Sequence, residues 1–325
     1  MHPLQKIGAF GAALAASFAA AYGIGATVSP VSTDDGGGHE SAAHSSPASA
    51  APGGTTPGGL QVSEGGYTLD LETPRVRADT PATLRFVIRD ADGRPVTEYR
   101  REHEKELHLI VASRDLTAYR HLHPTRSADG TWTTTATLPD PGGYRVLADF
   151  TPAAEREGLT LGADLAASGT YTPDALPAPA ATATVDGYTV TLDGTLKAGG
   201  ESDLTFTVRR DGEPVTGLQP YLGAYGHLVA LRSGDLAYLH VHPHEEAHGT
   251  AVSGPEVAFS ATAPTEGAYR LFLDFKADDE VHTAAFTVRA GERAPAASDA
   301  PSTPPTPSAP DAPASEQHEE SPHGH

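Results

Sequence analysis

The chain contains the heptapeptide Tyr144-Arg145-Val146-Leu147-Ala148-Asp149-Phe150, and a second heptapeptide, Tyr269-Arg270-Leu271-Phe272-Leu273-Asp274-Phe275, matches it. Apolar side chains occupy every second position of both, and alternate side chains of a β-strand point to opposite faces of a sheet. The pattern therefore predicts one strand that occurs twice. A further match, between Asp92-Gly93-Arg94-Pro95-Val96-Thr97 and Asp211-Gly212-Glu213-Pro214-Val215-Thr216, supports an internal duplication.

Short segments rich in Thr, Val, Tyr and Phe fill each copy, and Gly, Pro and Asp residues separate them. No long amphipathic helical pattern interrupts these segments. The predicted strands of the first copy are Tyr67 to Leu71, Ala82 to Arg89, Glu106 to Ala112, Tyr119 to His123, Trp132 to Leu138 and Tyr144 to Phe150. Several short strands per hundred residues predict an all-β fold of two tandem immunoglobulin-like antiparallel β-sandwiches.

The composition of the chain changes at both ends of the duplicated part. Residues 31 to 59 and 291 to 325 are rich in Ser, Pro, Ala and Gly, so we predict a disordered spacer and a disordered His-containing tail. Between them we expect sandwich domain 1 over residues 60 to 174, a linker over residues 175 to 180, and sandwich domain 2 over residues 181 to 290. Each domain is expected to bury a core of its own.

Residues 1 to 30 are typical of an export signal. An uncharged, largely apolar run from Ile7 to Val28 follows Lys6, and as a helix it is long enough to cross roughly 30 Å of hydrocarbon. Two interpretations stay open. The run is either a transmembrane anchor in the cytoplasmic membrane, through residues 7 to 28, or a signal peptide cleaved near Ala21-Tyr22-Gly23. The first places the domains on the outer side of the cell membrane, and the second secretes them.

The charge and the sulfur content exclude several classes of function. The chain has 22 Lys and Arg against 42 Asp and Glu, a net charge of -20, which disfavours a nucleic-acid partner. There is no Cys, and the only Met is Met1, which excludes disulfides, thiolate zinc sites, iron-sulfur clusters and thioether Cu(I) sites. A metal site would have to use His, Asp and Glu, which suit Cu(II) or Zn(II).

Histidines cluster in one repeated stretch of each copy. Residues two apart on a strand lie on the same face, so a His-x-His pair can converge on one ion. A third His lies 13 residues upstream of each pair, which fits a strand, a turn and a return strand. The sequence therefore predicts one Cu(II) or Zn(II) site per copy, with the ligands His108, His121 and His123 in the first and His227, His240 and His242 in the second.

Four further residues are candidate ligands. Asp149 and Asp274 point away from the core face of their strands, so they can complete a metal site or hold a turn through backbone hydrogen bonds. His103 and His244 have no histidine counterpart in the other copy. Leu222 stands in the place of His103. The alternative for all these histidines is an ordinary surface or hydrogen-bonded role, repeated only because the chain is duplicated.

The stretch from His103 to Val111, which reads HEKELHLIV, and the HLHP block at His121 to Pro124 resemble exported YtkA-like and CopC-like β-sandwich proteins, a group linked to copper and other heavy metals. Blocks at Tyr225 to Val229 and at His240 to Pro243 extend the resemblance to the second copy. The resemblance implies an immunoglobulin-like fold and extracytoplasmic metal binding by His103, His108, His121, His123, His227, His240 and His242. CopC-like Cu(II) sites use a mature N-terminal His and often Met-rich Cu(I) sites, whereas this chain has no Met besides Met1 and we expect its mature part to begin with the spacer.

Together these features predict a metal-binding protein outside the cytoplasmic membrane that buffers Cu(II) or Zn(II), or passes the ion to a membrane metal transporter. The alternative is a structural or adhesive cell-surface protein without a metal role. We predict that the chain is not an enzyme, because its sequence has no zinc-protease helix motif, nucleophile elbow or phosphate-binding loop.

Overall fold

The computed structural model describes residues 57–239, 241–247 and 249–291. These residues form strands, turns and loops and contain no helix, so the part of the chain that is described offers no apolar helix able to cross a membrane. The predicted all-β fold of immunoglobulin-like sandwiches is confirmed. The predicted N-terminal helix, most of the spacer and nearly all of the tail lie outside the described residues.

The first half of the described chain forms eleven strands. They are β1 Ser63–Glu64, β2 Tyr67–Leu71, β3 Arg75–Arg77, β4 Ala82–Arg89, β5 Tyr99–Arg100, β6 Leu107–Ser113, β7 Tyr119–Leu122, β8 Thr125–Arg126, β9 Thr131–Ala136, β10 Gly142–Pro152 and β11 Leu159–Ser168. One sheet has the order β1-β2-β4-β9-β8, and the other has the order β3-β11-β10-β6-β7 with β5 paired to β10. All pairs are antiparallel except β3 with β11.

The second half repeats this arrangement with ten strands. They are β12 Thr182–Val185, β13 Tyr188–Gly194, β14 Glu201–Arg210, β15 Glu213–Pro214, β16 His227–Arg232, β17 Tyr238–Leu239, β18 Val241–Pro243, β19 Glu256–Thr262, β20 Gly267–Ala277 and β21 Glu280–Ala290. One sheet has the order β12-β13-β14-β19-β18 with β15 paired to β14, and the other has the order β17-β16-β20-β21.

Each sandwich has an apolar core between its two sheets. In the first sandwich, Phe86 and Trp132 from one sheet meet Leu109 and Val146 from the other. Equivalent aromatic and aliphatic residues of β14, β16, β19, β20 and β21 fill the core of the second sandwich. These residues alternate along their strands with outward-facing ones, as the period of a β-strand requires.

A third apolar cluster joins the two sandwiches. It lies between the β3-β11-β10-β6-β7 sheet and the β17-β16-β20-β21 sheet, which we call the interface sheets. Ile110 and Leu147 of the first sandwich are fully buried there with Val229 of the second. The rings of Tyr119 and Phe272 stack across the boundary with centroids 4.0 Å apart. Each such aliphatic side chain, once buried, stabilises the contact by about 1.5 to 3 kcal/mol, so the two copies pack as one unit.

Candidate metal centre between the two sandwiches

The polar edge of this contact is set by the register of the interface sheets. On β6, alternate residues starting at His108 face the other sandwich, and the intervening residues belong to the core. His108 lies directly opposite Asp149 on β10. In the second sandwich, His227 on β16 lies opposite Asp274 on β20 in the same way. The duplication therefore brings two His-Asp pairs to the outer faces of two sheets that pack against each other.

Asp274 is the buried acceptor of the resulting network. Its Oδ2 atom lies 2.8 Å from Nδ1 of His121, a residue of the other sandwich, and both side chains are at most 3% exposed. The hydroxyl of Thr283 donates a hydrogen bond of 2.6 Å to Oδ1, and the Tyr119 hydroxyl lies 3.5 Å from Oδ2. A carboxylate of copy two thus orients a histidine of copy one, an arrangement typical of metal-ligating histidines.

Four imidazoles surround one point at the boundary. The ring of His121 lies 5.3 Å from that of His108 and 4.7 Å from those of His123 and His227, measured between centroids. Three of these residues, His108, His121 and His227, each offer one ring nitrogen, and the three nitrogens lie within 4.8 Å of one another. Nε2 of His123 and Nδ1 of His227 are buried and have no hydrogen-bond partner among the described residues. Buried polar atoms without partners are rare and call for an explanation such as an ion.

The hydrogen bonds at His108 and His121 define which nitrogens carry protons. Nε2 of His108 lies 3.1 Å from the carbonyl oxygen of Glu102, which can only accept, so this nitrogen is the donor. Nδ1 of His121 likewise donates to Asp274. In two neutral imidazoles the remaining nitrogens, Nδ1 of His108 and Nε2 of His121, would then both be unprotonated. They face each other at 3.1 Å.

Two unprotonated nitrogens that face each other 3.1 Å apart can both donate their lone pairs to one metal ion. Nitrogen ligands lie roughly 2.0 to 2.1 Å from Zn(II), so two nitrogens 3.1 Å apart would subtend about 100° at the ion. That angle lies between the values for tetrahedral and square-planar coordination, the geometries preferred by Zn(II) and Cu(II) respectively. The spacing therefore fits a shared transition-metal ion.

The surroundings keep three of these histidines in the form that binds metal. Burial, followed by the proximity of His121, lowers the pKa of His108 to about 3. The same two causes lower the pKa of His123 to about 3. Burial is also the main reason that the pKa of His227 lies well below its usual value. A neutral imidazole is the ligating form, so these side chains are ready to bind an ion near pH 7.

The histidines of the second copy are arranged differently from those of the first. His227 joins the first-copy histidines, whereas His242 lies exposed on β18, in the sheet that does not face the other sandwich. His244 is exposed, and its Nε2 lies 2.9 Å from the Ser260 hydroxyl. His240 lies outside the described residues. Among the described residues, His227 thus lies with histidines of the first copy, so both copies contribute to one cluster.

Asp149 takes the position in the first copy that Asp274 takes in the second. The Thr160 hydroxyl donates to its Oδ1 over 2.8 Å, and the Tyr238 hydroxyl lies 3.5 Å from its Oδ2. The two carboxylates therefore have equivalent hydroxyl neighbours across the boundary. Only Asp274 has a described hydrogen bond to a histidine of the four-imidazole cluster.

Two contributors to the site were not identified from the sequence. The backbone carbonyl of Glu102 carries no signal in a sequence, since every residue has one. Tyr221 lies beside His123, with ring centroids 6.4 Å apart, and its position in the turn before β16 matches that of Glu102 before β6. The internal alignment alone could have placed this residue beside the turn, although not beside a histidine of the other copy.

The model of one protein family matches the chain twice, at residues 61–162 and 183–292, and its description is "Domain of unknown function (DUF8832)". The chain belongs to this family. The two matches correspond to the two sandwiches, so each copy is one unit of the family. No curated protein matches the chain.

Several solved structures with β-rich domains are similar to this chain. The Escherichia coli adhesin FdeC has 17% identity over 70% of this chain and 65% of its own, with a TM-score of 0.24. The bacterial integrin-binding protein invasin has 16% identity over 69% of this chain and 39% of its own, with a TM-score of 0.21. The D0-D1 domain of intimin has 12% identity over 68% of this chain and 96% of its own, with a TM-score of 0.21. This chain spans less than two thirds of FdeC and of invasin.

Proposed function

We propose that the chain binds one Cu(II) or Zn(II) ion between its two sandwiches, through His108, His121 and His227. The observation that carries the proposal is the pair of facing nitrogens of His108 and His121, whose outer nitrogens are both committed to acceptors. His123 adds a fourth imidazole beside them. The family has no assigned function, so the geometry of this cluster is the main support.

The proposed role is to buffer the ion outside the cytoplasmic membrane or to pass it to a membrane metal transporter. The uncharged run from Ile7 to Val28 supports export, and the resemblance to YtkA-like and CopC-like proteins supports metal handling. The ligand set is made only of nitrogen and oxygen donors, which fits Cu(II) and Zn(II) better than Cu(I).

A structural or adhesive surface role is the second candidate. The observation that favours it is the apolar contact between the interface sheets, which would make a stable two-domain module without any ion. In that case the four imidazoles would hold no ion. The two candidates therefore differ in whether the cluster takes up an ion at equilibrium.

The test is isothermal titration of the full chain with Cu(II) and with Zn(II). Because the tail also contains histidines, His318, His323 and His325 are changed to Asn in every sample. Replacing His121 and His123 together by Ala should lower the affinity at least about 1,000-fold, since two nitrogen ligands and the link to Asp274 are lost. The control variant His244→Ala, which removes an exposed histidine outside the cluster, should stay within about threefold of the parent chain. Equal affinities in all three samples would move the structural role to first place.

A further inference from the structure

The three-imidazole group is buried, so an ion from solution needs a route to it. A polar cavity of about 90 Å³ adjoins the group, and both sandwiches line it. His108 and His227 of the group form part of its wall, and the exposed residues His103 and His242 form another part. The cavity therefore connects histidines that solvent reaches with histidines that belong to the buried cluster.

His103 is held in this position by a tight turn. Glu102 and Lys105 exchange backbone hydrogen bonds of 2.9 and 3.0 Å, and the two residues between them, His103 and Glu104, have φ values of 46° and 66°. Positive φ at both central positions is typical of a type I′ hairpin turn, which favours Gly, Asn or Asp. Histidine is, with Asn and Asp, among the residues that adopt positive φ more readily than most, so the turn fixes where His103 lies.

The turn brings His103 to a histidine of the other sandwich. Its ring lies 5.5 Å from that of His227 and 6.1 Å from that of His108, measured between centroids. Two imidazoles bound to one ion at roughly 2.0 Å have centroids about 5 Å apart. His103 and His227 are thus close enough to hold one ion together after a small adjustment of the exposed side chain.

The equivalent turn in the second copy has the same backbone conformation, but an apolar side chain takes the place of the histidine. Tyr221 and Ala224 exchange the same pair of backbone hydrogen bonds, and Leu222 and Gly223 between them have φ values of 56° and 78°. Leu222 is buried and apolar, in contrast to the exposed His103. The first copy therefore presents an exposed histidine at a solvent-facing cavity, whereas the second copy buries a leucine at the equivalent position.

Charged residues around the cavity favour a cation. The acidic residues Glu102, Glu106 and Asp149 line it, together with Arg100, and Glu106 is paired with Arg126 at 3.3 Å. The Thr151 hydroxyl donates a hydrogen bond of 2.6 Å to Glu102, which fixes that carboxylate at the cavity wall. Clefts lined mostly by one sign of charge raise the local concentration of the opposite ion and its rate of association.

From these contacts we infer that His103 and His227 form an entry site for a divalent transition-metal ion, which then passes to His108 and His121. This inference rests on the proposed function and adds the route by which the buried site is filled and emptied. His227 belongs to both sites, so the ion exchanges one ligand at a time and keeps at least one imidazole throughout. An entry site on the route lowers the barrier equally in both directions, so it changes rates and leaves the equilibrium affinity unaltered.

The test measures rates with the full chain, its three tail histidines again changed to Asn. Cu(II) quenching of tyrosine and tryptophan fluorescence in a stopped-flow instrument gives the uptake rate, and a chelator in excess gives the release rate. The variant His103→Leu installs the residue that the second copy uses at this position. We expect uptake and release to slow at least tenfold each, with the affinity within about threefold of the parent chain. His244→Leu, which removes another exposed histidine, should change neither rate.

The outcomes separate this inference from the function on which it rests. Rates within twofold of the parent chain in His103→Leu would refute the entry site and leave the buried site in place. A large loss of affinity with an unchanged uptake rate would also refute it, because His103 would then be a ligand of the resting ion. A parent chain that binds no more Cu(II) than the His121→Ala, His123→Ala variant would refute the proposed function itself.

Discussion

The two His-x-His motifs are identical in pattern and different in surroundings. In the first copy β7 continues to Leu122, which packs on the core, so that His121 stays in the interface sheet with a side chain only 3% exposed. In the second copy β17 ends at Leu239 and the chain crosses to the other sheet, where His242 lies exposed opposite Ser260. A motif therefore supplies ligand types, whereas strand length and the surface opposite decide whether a buried site forms.

Replacing His227 by Ala is the strongest test of this comparison after the double variant described above. The residue belongs to the second copy, yet we expect Cu(II) or Zn(II) to bind about 100-fold more weakly, because one of three imidazoles is removed from the buried cluster. Titration calorimetry on the full chain with a modified tail measures the change. Binding that is unaffected by His227→Ala would mean that the first copy holds its ion alone.

Replacing the two equivalent aspartates is expected to change the metal affinity less than replacing His227, and to change it at only one of the two positions. Asp274→Asn keeps an oxygen that can accept the hydrogen bond from His121 but removes the negative charge that makes this histidine a better ligand. We expect the affinity to fall about tenfold, the lower end of the range for such orienting residues. Asp149→Asn is the matched control, since its hydroxyl neighbours are equivalent, and it should change the affinity by less than threefold. Equal losses in both variants would contradict the assignment of Asp274 to the site.

The strands were predictable because period-2 alternation is a local property. β2 and β4 have the predicted limits, and the strand predicted from the heptapeptide Tyr144 to Phe150 extends to Gly142–Pro152. The predicted strands do not include β11, although it runs beside β10 along most of its length. Its residues include Gly162, Ala163, Ala166 and Ala167, which carry little of the β-branched and aromatic signal on which strand prediction depends.

The contact between the copies could not be predicted from one motif, but the apolar residues on both faces of a strand indicate it. All seven residues of β6 are buried, and Ile110 and Leu147 place apolar side chains on the face that points away from the core of their own sandwich. An antiparallel strand with apolar residues on both faces indicates that both are covered. Which surface covers the second face is a matter of tertiary packing, so the meeting of His121 with Asp274 required the structure.

The smallest expected effect is a dependence of the free energy of unfolding of the metal-free chain on pH. Burial lowers the pKa of His108 to about 3, from about 6.5 in the unfolded chain. Below pH 6.5 the unfolded state therefore binds a proton that the folded state does not. The free energy of unfolding is thus highest above this pH and decreases as the pH falls toward 3. We expect the free energy of unfolding to decrease by about 1 kcal/mol between pH 7 and pH 6, measured by urea denaturation in the presence of a chelator. His108→Gln should reduce this pH dependence, whatever its effect on stability at pH 7. A saturating ion should raise the free energy of unfolding at both pH values and leave its pH dependence in place, because these folded histidines are unprotonated with or without the ion and only the unfolded chain takes up protons. A decrease of the same size in His108→Gln as in the parent chain would instead place the titrating groups elsewhere in the chain.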